Sequence, residues 1–155
     1  MTTIVYDHKH KQIACDSLAC SNISIRSYES KKWIETDCDV WFFAGTTAHR
    51  DYVLGKLETT DDVGIDFEVD LTGIRYNKKT NQVYMHYYHE RTKMTVDKAM
   101  YSIAAGSGCD YATAALDLGY SALEAVECAA KRDLYTGGKV HVFCCETGKF
   151  VEGGD

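Results

Sequence analysis

The last third of the chain constrains the fold most, because it encloses two helices between strands. Tyr101 to Ala105 is an apolar strand pattern, and Gly106-Ser107-Gly108 predicts a tight turn after it. Tyr111 to Leu118 has the apolar spacing of one helix and Ala122 to about Arg132 that of a second, so an αα-hairpin is expected. The alternation in Lys139 to Cys145 then predicts a strand. Strands on both sides of a helix pair indicate an α+β layered domain.

The start of the second helix has a local signature. Ser121 and Glu124 fit a capping box, in which each side chain accepts a hydrogen bond from a backbone N–H that the helix leaves free. Residues 146–149 predict a turn into a last strand from Phe150 to Glu152.

The first third of the chain predicts antiparallel β-structure. Thr2 to Tyr6 and Gln12 to Cys15 are short strand patterns on either side of the polar turn Asp7 to Lys11, so they should form a hairpin. Further strands are expected at Ile23 to Ser27, Lys32 to Thr36 and Val40 to Ala44. The last of these is apolar throughout, which is typical of a strand buried on both faces.

The middle of the chain predicts one helix and a β-meander. Thr46 or Thr47 is a candidate cap for a helix that runs to about Leu57. Ile65 to Val96 is rich in Val, Ile, Thr and Tyr and has a turn pattern at residues 77–81, which predicts a meander. No repeat or low-complexity linker divides the sequence, so residues 1–155 are expected to form one domain.

Composition narrows the function classes. The net charge is −6 and the 17 Lys and Arg residues are scattered, which argues against a nucleic-acid partner. We find no run of 18 apolar residues and no signal-peptide pattern, so we expect no membrane span and a cytoplasmic protein. The seven cysteines form no CxxC pair and are expected to be buried, reduced thiols. His8 and His10 have no evident third ligand, and we expect no metal and no cofactor.

The first residues contain a candidate nucleophile. A threonine hydroxyl needs a base at the moment of attack, and an α-amine, whose pKa is ordinarily about 7.7–8.0, is partly unprotonated near neutrality. If Met1 is removed, Thr2 carries the hydroxyl and the amine on one residue. Threonine with its own terminal amine is a recognised variant of nucleophile and base. Because many chains begin Met-Thr, an ordinary first strand is the alternative.

Three segments carry a resemblance to a known family. The opening Thr2 to Val5, residues Gly106 to Ala112 and residues Arg132 to Gly138 look like the proteasome β-subunit family and its bacterial relative, the HslV peptidase. The resemblance covers residues 2 to about 57 and 101 to 145. It implies the fold of the N-terminal nucleophile hydrolases, an α+β four-layer αββα sandwich with two antiparallel sheets between helical layers. The match is weak after residue 57, so the helical layer there is expected to be abbreviated.

The resemblance also implies site residues near the nucleophile Thr2. Asp16 matches the family's aspartate after the second strand, and Lys32 matches the lysine of its Lys-Lys-hydrophobic motif. An ammonium near Thr2 would lower the pKa values of its hydroxyl and amine, and the carboxylate would keep that lysine charged and oriented. Lys31 is the rival choice, but neighbouring residues on a strand point to opposite faces.

The remaining implied site residues lie further along the chain. Gly45 corresponds to the glycine whose backbone N–H lines the family's oxyanion hole, a donor whose loss typically costs about 10²–10³ in rate. Ser107 and Asp133 match the pair that holds the terminal amine and relays protons. Thr136 stands where the family usually has serine, and its β-branched side chain has fewer rotamers.

The implied function is peptide-bond cleavage by a threonine peptidase. The expected substrate is an unfolded polypeptide that enters a homo-oligomeric ring or double ring, and an ATP-dependent unfoldase is a candidate partner. We expect no propeptide beyond Met1, as in the bacterial peptidase. The alternative is a catalytically silent subunit that keeps the fold for assembly, as proteasome α subunits do. An amidohydrolase of the same nucleophile class, acting on a small molecule, matches the motifs less well.

Overall fold

The computed structural model describes residues 2–21, 24–45, 71–88 and 95–151. Within these ranges the chain forms mostly strands, with two helices. In chain order the elements are β1 (Thr3–Asp7), β2 (Gln12–Cys15), β3 (Ala19–Cys20), β4 (Ile25–Ser27), β5 (Trp33–Glu35), β6 (Asp39–Gly45), β7 (Leu71–Asn77), β8 (Val83–Tyr88), β9 (Thr95–Lys98), β10 (Ile103–Gly106), α1 (Cys109–Asp117), α2 (Ala122–Ala130), β11 (His141–Cys144) and β12 (Lys149–Phe150).

The strands form two five-stranded sheets and one short hairpin. The first sheet has the order β10-β1-β2-β11-β12, and the second has the order β5-β6-β7-β8-β9. The hairpin consists of β3 and β4. Every pairing is antiparallel, so the beginning of one strand lies beside the end of its neighbour.

The main core lies between the two sheets. Alternate residues of β1 and β2 point into it, and so do alternate residues of β6 and β7, as the two-residue period of a strand requires. Phe143 is central, since its ring lies 5.8 Å from that of Phe42 and 4.9 Å from that of Tyr76. Truncating such a ring to alanine typically costs about 3–5 kcal/mol. The buried members include Ile4, Tyr6, Ile13, Cys15, Val40, Phe42, Ile74, Met85 and Phe143.

The two helices cover the other face of the first sheet. Their buried residues are mainly alanines, and they pack on Val5, Ala14 and Val142, the residues of β1, β2 and β11 that point away from the second sheet. Small side chains let the helices lie close to the strands. Strand β1 is consequently buried on both faces, which explains its nearly continuous apolar sequence.

The second sheet has an outer face that points away from the first sheet. We call this group the aromatic face; it consists of Trp41, Phe43, Arg75, Tyr84 and His86. The rings of Trp41 and Phe43 stack at 5.5 Å, and the Arg75 guanidinium lies over the rings of Trp41 and Tyr84. Three layers are therefore described: the helix pair, the first sheet and the second sheet. The predicted helix from residue 46 to 57, which would belong to a fourth layer, lies outside the described residues.

Most of the predicted strands and helices within the described residues are confirmed, although their first or last residues differ. Strands β1 and β2 form the predicted hairpin, and β7, β8 and β9 form a meander. The second helix ends at Ala130 and not at Arg132, while its capping box between Ser121 and Glu124 is present. The hairpin partner β3 was not predicted, because it is two residues long and lies in a polar stretch.

The cysteines fit the prediction only in part. All seven lie in the described residues and all are free thiols, but only Cys15 and Cys145 are buried. Three are partly buried, namely Cys20, Cys109 and Cys144, and the expectation of burial is wrong for Cys38 and Cys128, which are exposed. Within the described ranges, no helix is long and apolar enough to cross a membrane.

Candidate active site

The predicted site residues lie at one edge of the sandwich. Antiparallel pairing places the beginning of β1 beside the ends of β2 and β10, with Thr3 opposite Gly106 and Ile4 opposite Cys15. Thr2 precedes β1, Asp16 follows β2 and Ser107 follows β10. Thr2 and Ser107, which are 105 positions apart in sequence, therefore meet at the same end of the first sheet.

Thr2 is fully enclosed at this edge. It is 1% exposed, and its hydroxyl donates a short hydrogen bond to Oδ1 of Asp16. The sequence predicted that Asp16 would act on Thr2 through the lysine. The structure places the carboxylate directly against the hydroxyl, because the end of β2 is the immediate neighbour of the beginning of β1.

Asp16 has no solvent exposure and is held by backbone donors. Oδ1 accepts from the N–H of Thr3 at 3.2 Å, and Oδ2 accepts from the N–H of Gly137 at 3.0 Å and from that of Leu18 at 3.4 Å. Burial raises the pKa of the Asp16 carboxyl, while the charge of Lys32 and the hydrogen bonds from Thr2, Gly137 and Thr3 act in the opposite direction. Burial is the larger contribution, and the neighbouring charge and donors offset part of it.

Lys32 and Lys31 have different surroundings. Nζ of Lys32 donates to the carbonyl oxygen of Leu18 at 2.6 Å, and its charge acts on Asp16. Lys31 is exposed, and its Nζ lies 4.8 Å from the centre of the Trp33 ring. The side chain of Lys32 therefore reaches the Thr2 edge, while that of Lys31 lies at Trp33. Both residues precede β5, so the argument from strand alternation does not apply to them, and the role of Lys32 stays a prediction.

Ser107, Asp133 and Thr136 form a second group beside Thr2. Oδ2 of Asp133 accepts from the hydroxyl of Ser107 at 2.5 Å and from that of Thr136 at 2.5 Å. Ser107 Oγ also lies 3.5 Å from the carbonyl oxygen of Thr2. Since the serine has one hydroxyl proton and the carboxylate is much nearer, that proton belongs to the bond with Asp133. The lone pairs of Ser107 Oγ remain available as acceptors.

A glycine is required where β10 ends. Gly106 has a φ of +99°, and a Cβ built on it would overlap the carbonyl oxygen of Thr2 and lie 3.3 Å from Cβ of Ala44. Close approach of the backbones is thus what brings Ser107 to Thr2. The same proximity places Gly45, the last residue of β6, near this edge. The prediction that its N–H lines an oxyanion site stays a prediction.

Three participants were not predicted from the sequence. The Leu18 carbonyl binds Lys32, the Gly137 N–H binds Asp16, and the Thr3 hydroxyl lies 2.6 Å from that of Thr136. The first two are backbone groups, for which side-chain identity gives no signal. Thr3 had no separate signal beside Thr2.

The first two strands and the turn between them also carry a cysteine and two histidines. Cys15 lies next to Asp16, but burial raises the pKa of its thiol far above the usual range, so it is a poor nucleophile. His8 and His10 instead pair with Tyr6 and Asp7 in the first turn. In the part of the chain that the structure describes, no group of three His, Cys, Asp or Glu residues could hold a metal ion.

No family model matches the sequence, and a comparison with curated proteins gives no match. The fold is nevertheless similar to solved structures. One is BPH from Thiobacillus denitrificans in complex with epoxomicin, with a TM-score of 0.71 and 19% identity over 92% of this chain and 97% of that one. A second structure of the same protein has a TM-score of 0.67 and 18% identity, covering 92% of this chain and 95% of that one.

The third similar structure is a eukaryotic HslV from Trypanosoma brucei. Its TM-score is 0.66, with 18% identity over 91% of this chain and 97% of that chain. These likenesses span nearly the whole of each chain, so they concern the full arrangement of sheets and helices. The resemblance to the HslV-type peptidases is therefore confirmed at the level of the fold.

Proposed function

We propose that this chain is a threonine endopeptidase of the N-terminal nucleophile class, with Thr2 as its nucleophile. The observation that carries the proposal is the enclosure of Thr2 between two groups at one strand edge. Asp16 and Lys32 form one group, and Asp133, Ser107 and Thr136 form the other. A threonine that only began a strand would need neither group.

The chemistry begins once Met1 has been removed. The free amine of Thr2 takes the hydroxyl proton as Oγ1 attacks the carbonyl carbon of the peptide. The peptide C–N bond breaks, the leaving amine takes up the proton, and an ester to Thr2 remains. Water then attacks the ester, releases the acid product and restores the hydroxyl.

Each neighbouring residue has a role that follows from its position. The charge of Lys32 stabilises the developing negative charge near Thr2, and Asp16 keeps that lysine charged. The lone pairs of Ser107 accept a hydrogen bond from the freed amine, while Asp133 and Thr136 fix the serine. The Gly45 N–H is the proposed donor to the oxyanion.

The proposed assembly is a closed ring or double ring with Thr2 facing inward. Its substrate is an unfolded polypeptide segment, and an ATP-dependent unfoldase is the proposed supplier. An exposed general protease would be hazardous in the cytoplasm, the proposed location, and closed symmetry is the usual outcome for homo-oligomers. The proposed subunit is one domain, residues 1–155, arranged as a four-layer αββα sandwich.

The decisive experiment pairs an intact mass with a peptidase assay. The mass of the purified protein should lack Met1, and the processed chain should cleave an unfolded substrate protein. Thr2→Ala is the matched inactive variant. A preparation that retains Met1 in full would remove the catalytic interpretation for that preparation, and a processed chain without peptidase activity would contradict the proposal.

Two further measurements separate the proposal from its alternative. Light scattering gives the assembly mass, and a monomer that cleaves peptides at the full rate would rule out an obligatory ring. A ring without activity would favour the silent structural subunit. Because the Thiobacillus denitrificans neighbour was solved in complex with epoxomicin, the same compound is a suitable probe, and its binding should be lost in Thr2→Ala.

A further inference from the structure

We propose that Thr3 is a positioning residue, which anchors the loop that carries Asp133 to strand β1. This inference rests on the proposed function, because it assigns a role at the same site. The observation is a chain of side-chain contacts. Thr3 Oγ1 lies 2.6 Å from Thr136 Oγ1, Thr136 donates to Asp133 Oδ2 at 2.5 Å, and Ser107 donates to the same oxygen at 2.5 Å.

The hydrogen bonds in this series of contacts all donate in one direction. An ionised carboxylate only accepts hydrogen bonds, so Thr136 must donate its single hydroxyl proton to Asp133. Thr136 therefore has no proton left for Thr3, and Thr3 must be the donor between the two threonines. The sequence of donation is Thr3 to Thr136 to Asp133. The series ends at Oδ2 of Asp133, which also accepts from the hydroxyl of Ser107.

The anchor joins a strand to a loop. Thr3 is the first residue of β1, is 0% exposed and pairs with Gly106, so its position is fixed by the sheet. Asp133 and Thr136 lie between α2 and β11, outside both elements. Because Thr3 is covalently next to Thr2, its bond ties the loop directly to the residue that the loop must serve.

The space around the Thr3 hydroxyl is too small for an additional side-chain carbon. A Cβ on Gly108 would overlap Thr3 Oγ1 and would lie 2.9 Å from Cβ of Ala129 and 3.1 Å from Thr136 Oγ1. The glycine at the beginning of α1 thus permits the approach of Thr3 to Thr136. In this enclosed space, the Thr3 hydroxyl has Thr136 Oγ1 as its hydrogen-bond partner.

The proposal predicts a specific pattern of variants. Thr3→Val keeps the shape of the side chain and removes the donor, so kcat should fall about 10- to 100-fold while KM changes less than about twofold, since misplaced catalytic groups affect the chemical step. Thr3→Ser keeps the hydroxyl and should restore most of kcat.

Thr136→Val should lower kcat by a similar factor. The double variant Thr3→Val/Thr136→Val should have a kcat no lower than either single variant, because both changes break the same hydrogen bond. Thr113→Val, at an exposed position on α1, is the control.

A readout without activity keeps this inference separate from the proposed function. The N–H of Tyr135 donates to Asp133 Oδ1 at 3.2 Å, so its hydrogen exchange should become at least about tenfold faster in Thr3→Val and stay unchanged in Thr113→Val. Unchanged exchange in Thr3→Val, or full kcat in that variant, would overturn the positioning role. Faster exchange in Thr3→Val, together with a wild-type chain that lacks peptidase activity, would retain the anchor and reject the peptidase. If Thr3→Val does not fold, the same two readouts apply to Thr136→Val.

Discussion

The Thr2 edge and the aromatic face both place ionisable side chains among buried neighbours, but the charged residue beside each one acts differently. At the Thr2 edge, Asp16 is surrounded by backbone N–H donors and the charge of Lys32. On the aromatic face, Nε of Arg75 donates to Nε2 of His86 at 3.0 Å, which requires that nitrogen to be unprotonated. Each ionisable group thus has a charged neighbour, Lys32 beside Asp16 and Arg75 beside His86.

The pKa shifts express this difference. Burial raises the pKa of Asp16 and lowers that of His86 to about 3, so in both places burial favours the neutral form. Beside His86 the charge of Arg75 acts in the same direction as burial. Beside Asp16 the charge of Lys32 acts against burial. The effect of burial is therefore partly offset at the Thr2 edge and reinforced on the aromatic face.

The largest expected effect comes from removing the charge of Lys32, which opposes the effect of burial on the pKa of Asp16. Lys32→Ala should lower kcat/KM by at least about 10²-fold, because the charge acts where negative charge develops in the reaction. The fold should remain, since the substitution leaves the backbone carbonyl of Lys32 that accepts from the N–H of Phe43. Peptidase assays and thermal unfolding measure the two effects, and Lys31→Ala is the matched control. Cleavage at the wild-type rate would show that the lysine is misassigned, and unfolding would show that its role is structural.

The second prediction concerns the aromatic face at acid pH. His86 has a pKa of about 3 when folded and about 6.5 when unfolded, so the unfolded chain binds more protons between these values. The contribution of neutral His86 to stability is therefore complete above about pH 6.5 and is lost as the pH falls towards 3, at up to about 1.4 kcal/mol per pH unit.

His86→Gln tests this prediction, because glutamine keeps an acceptor for Arg75 and does not titrate in this range. Urea unfolding at several values between pH 4 and 7 should show a smaller slope of stability against pH in the variant. Equal slopes would mean that His86 takes up its proton without unfolding.

The third prediction tests how tightly the Thr2 edge is packed. Gly108→Ala would place a methyl group against Thr3 and Ala129, and overpacking of this kind typically costs about 1–3 kcal/mol. Gly137→Ala is the control, since its nearest neighbour would be Leu18 Cδ2 at 3.5 Å, an ordinary contact. Denaturant unfolding should separate the two variants. Similar stabilities would show that Thr3 can shift, and would weaken its role as an anchor.

The sequence predicted the parts of the fold that depend on neighbouring residues. The β1–β2 hairpin and the meander follow from alternation and turn residues, which act over a few positions. The contact between Thr3 and Thr136 spans 133 positions, and nothing local to either residue indicates it. The Gly137 N–H and the Leu18 carbonyl were missed because they are backbone groups, for which side-chain identity gives no signal.

The site residues were predicted by resemblance and not by residue patterns alone. Asp16, Ser107 and Asp133 are ordinary surface residue types, and only their match to a family suggested that they meet. The structure does bring them to one edge, by way of antiparallel pairing and the close approach at Gly106. The direct bond between Thr2 and Asp16 could not be predicted, because it depends on the relative depth of two strand ends.

The smallest expected effect concerns the capping box of α2, which lies outside the Thr2 edge and the aromatic face. It gives a reference value for a change in stability that does not affect the site. Ser121 accepts from the N–H of Glu124 at 3.2 Å, and Glu124 accepts from the N–H of Ser121 at 3.1 Å. Ser121→Ala removes one of these bonds and should cost about 1 kcal/mol of stability. It should leave kcat unchanged, because α2 packs on the first sheet through its alanines and not through its cap. Thermal unfolding and a peptidase assay measure both quantities. A loss of kcat in Ser121→Ala as large as in Thr3→Val would mean that the loop after α2 is positioned by the helix, and that β1 is not its anchor.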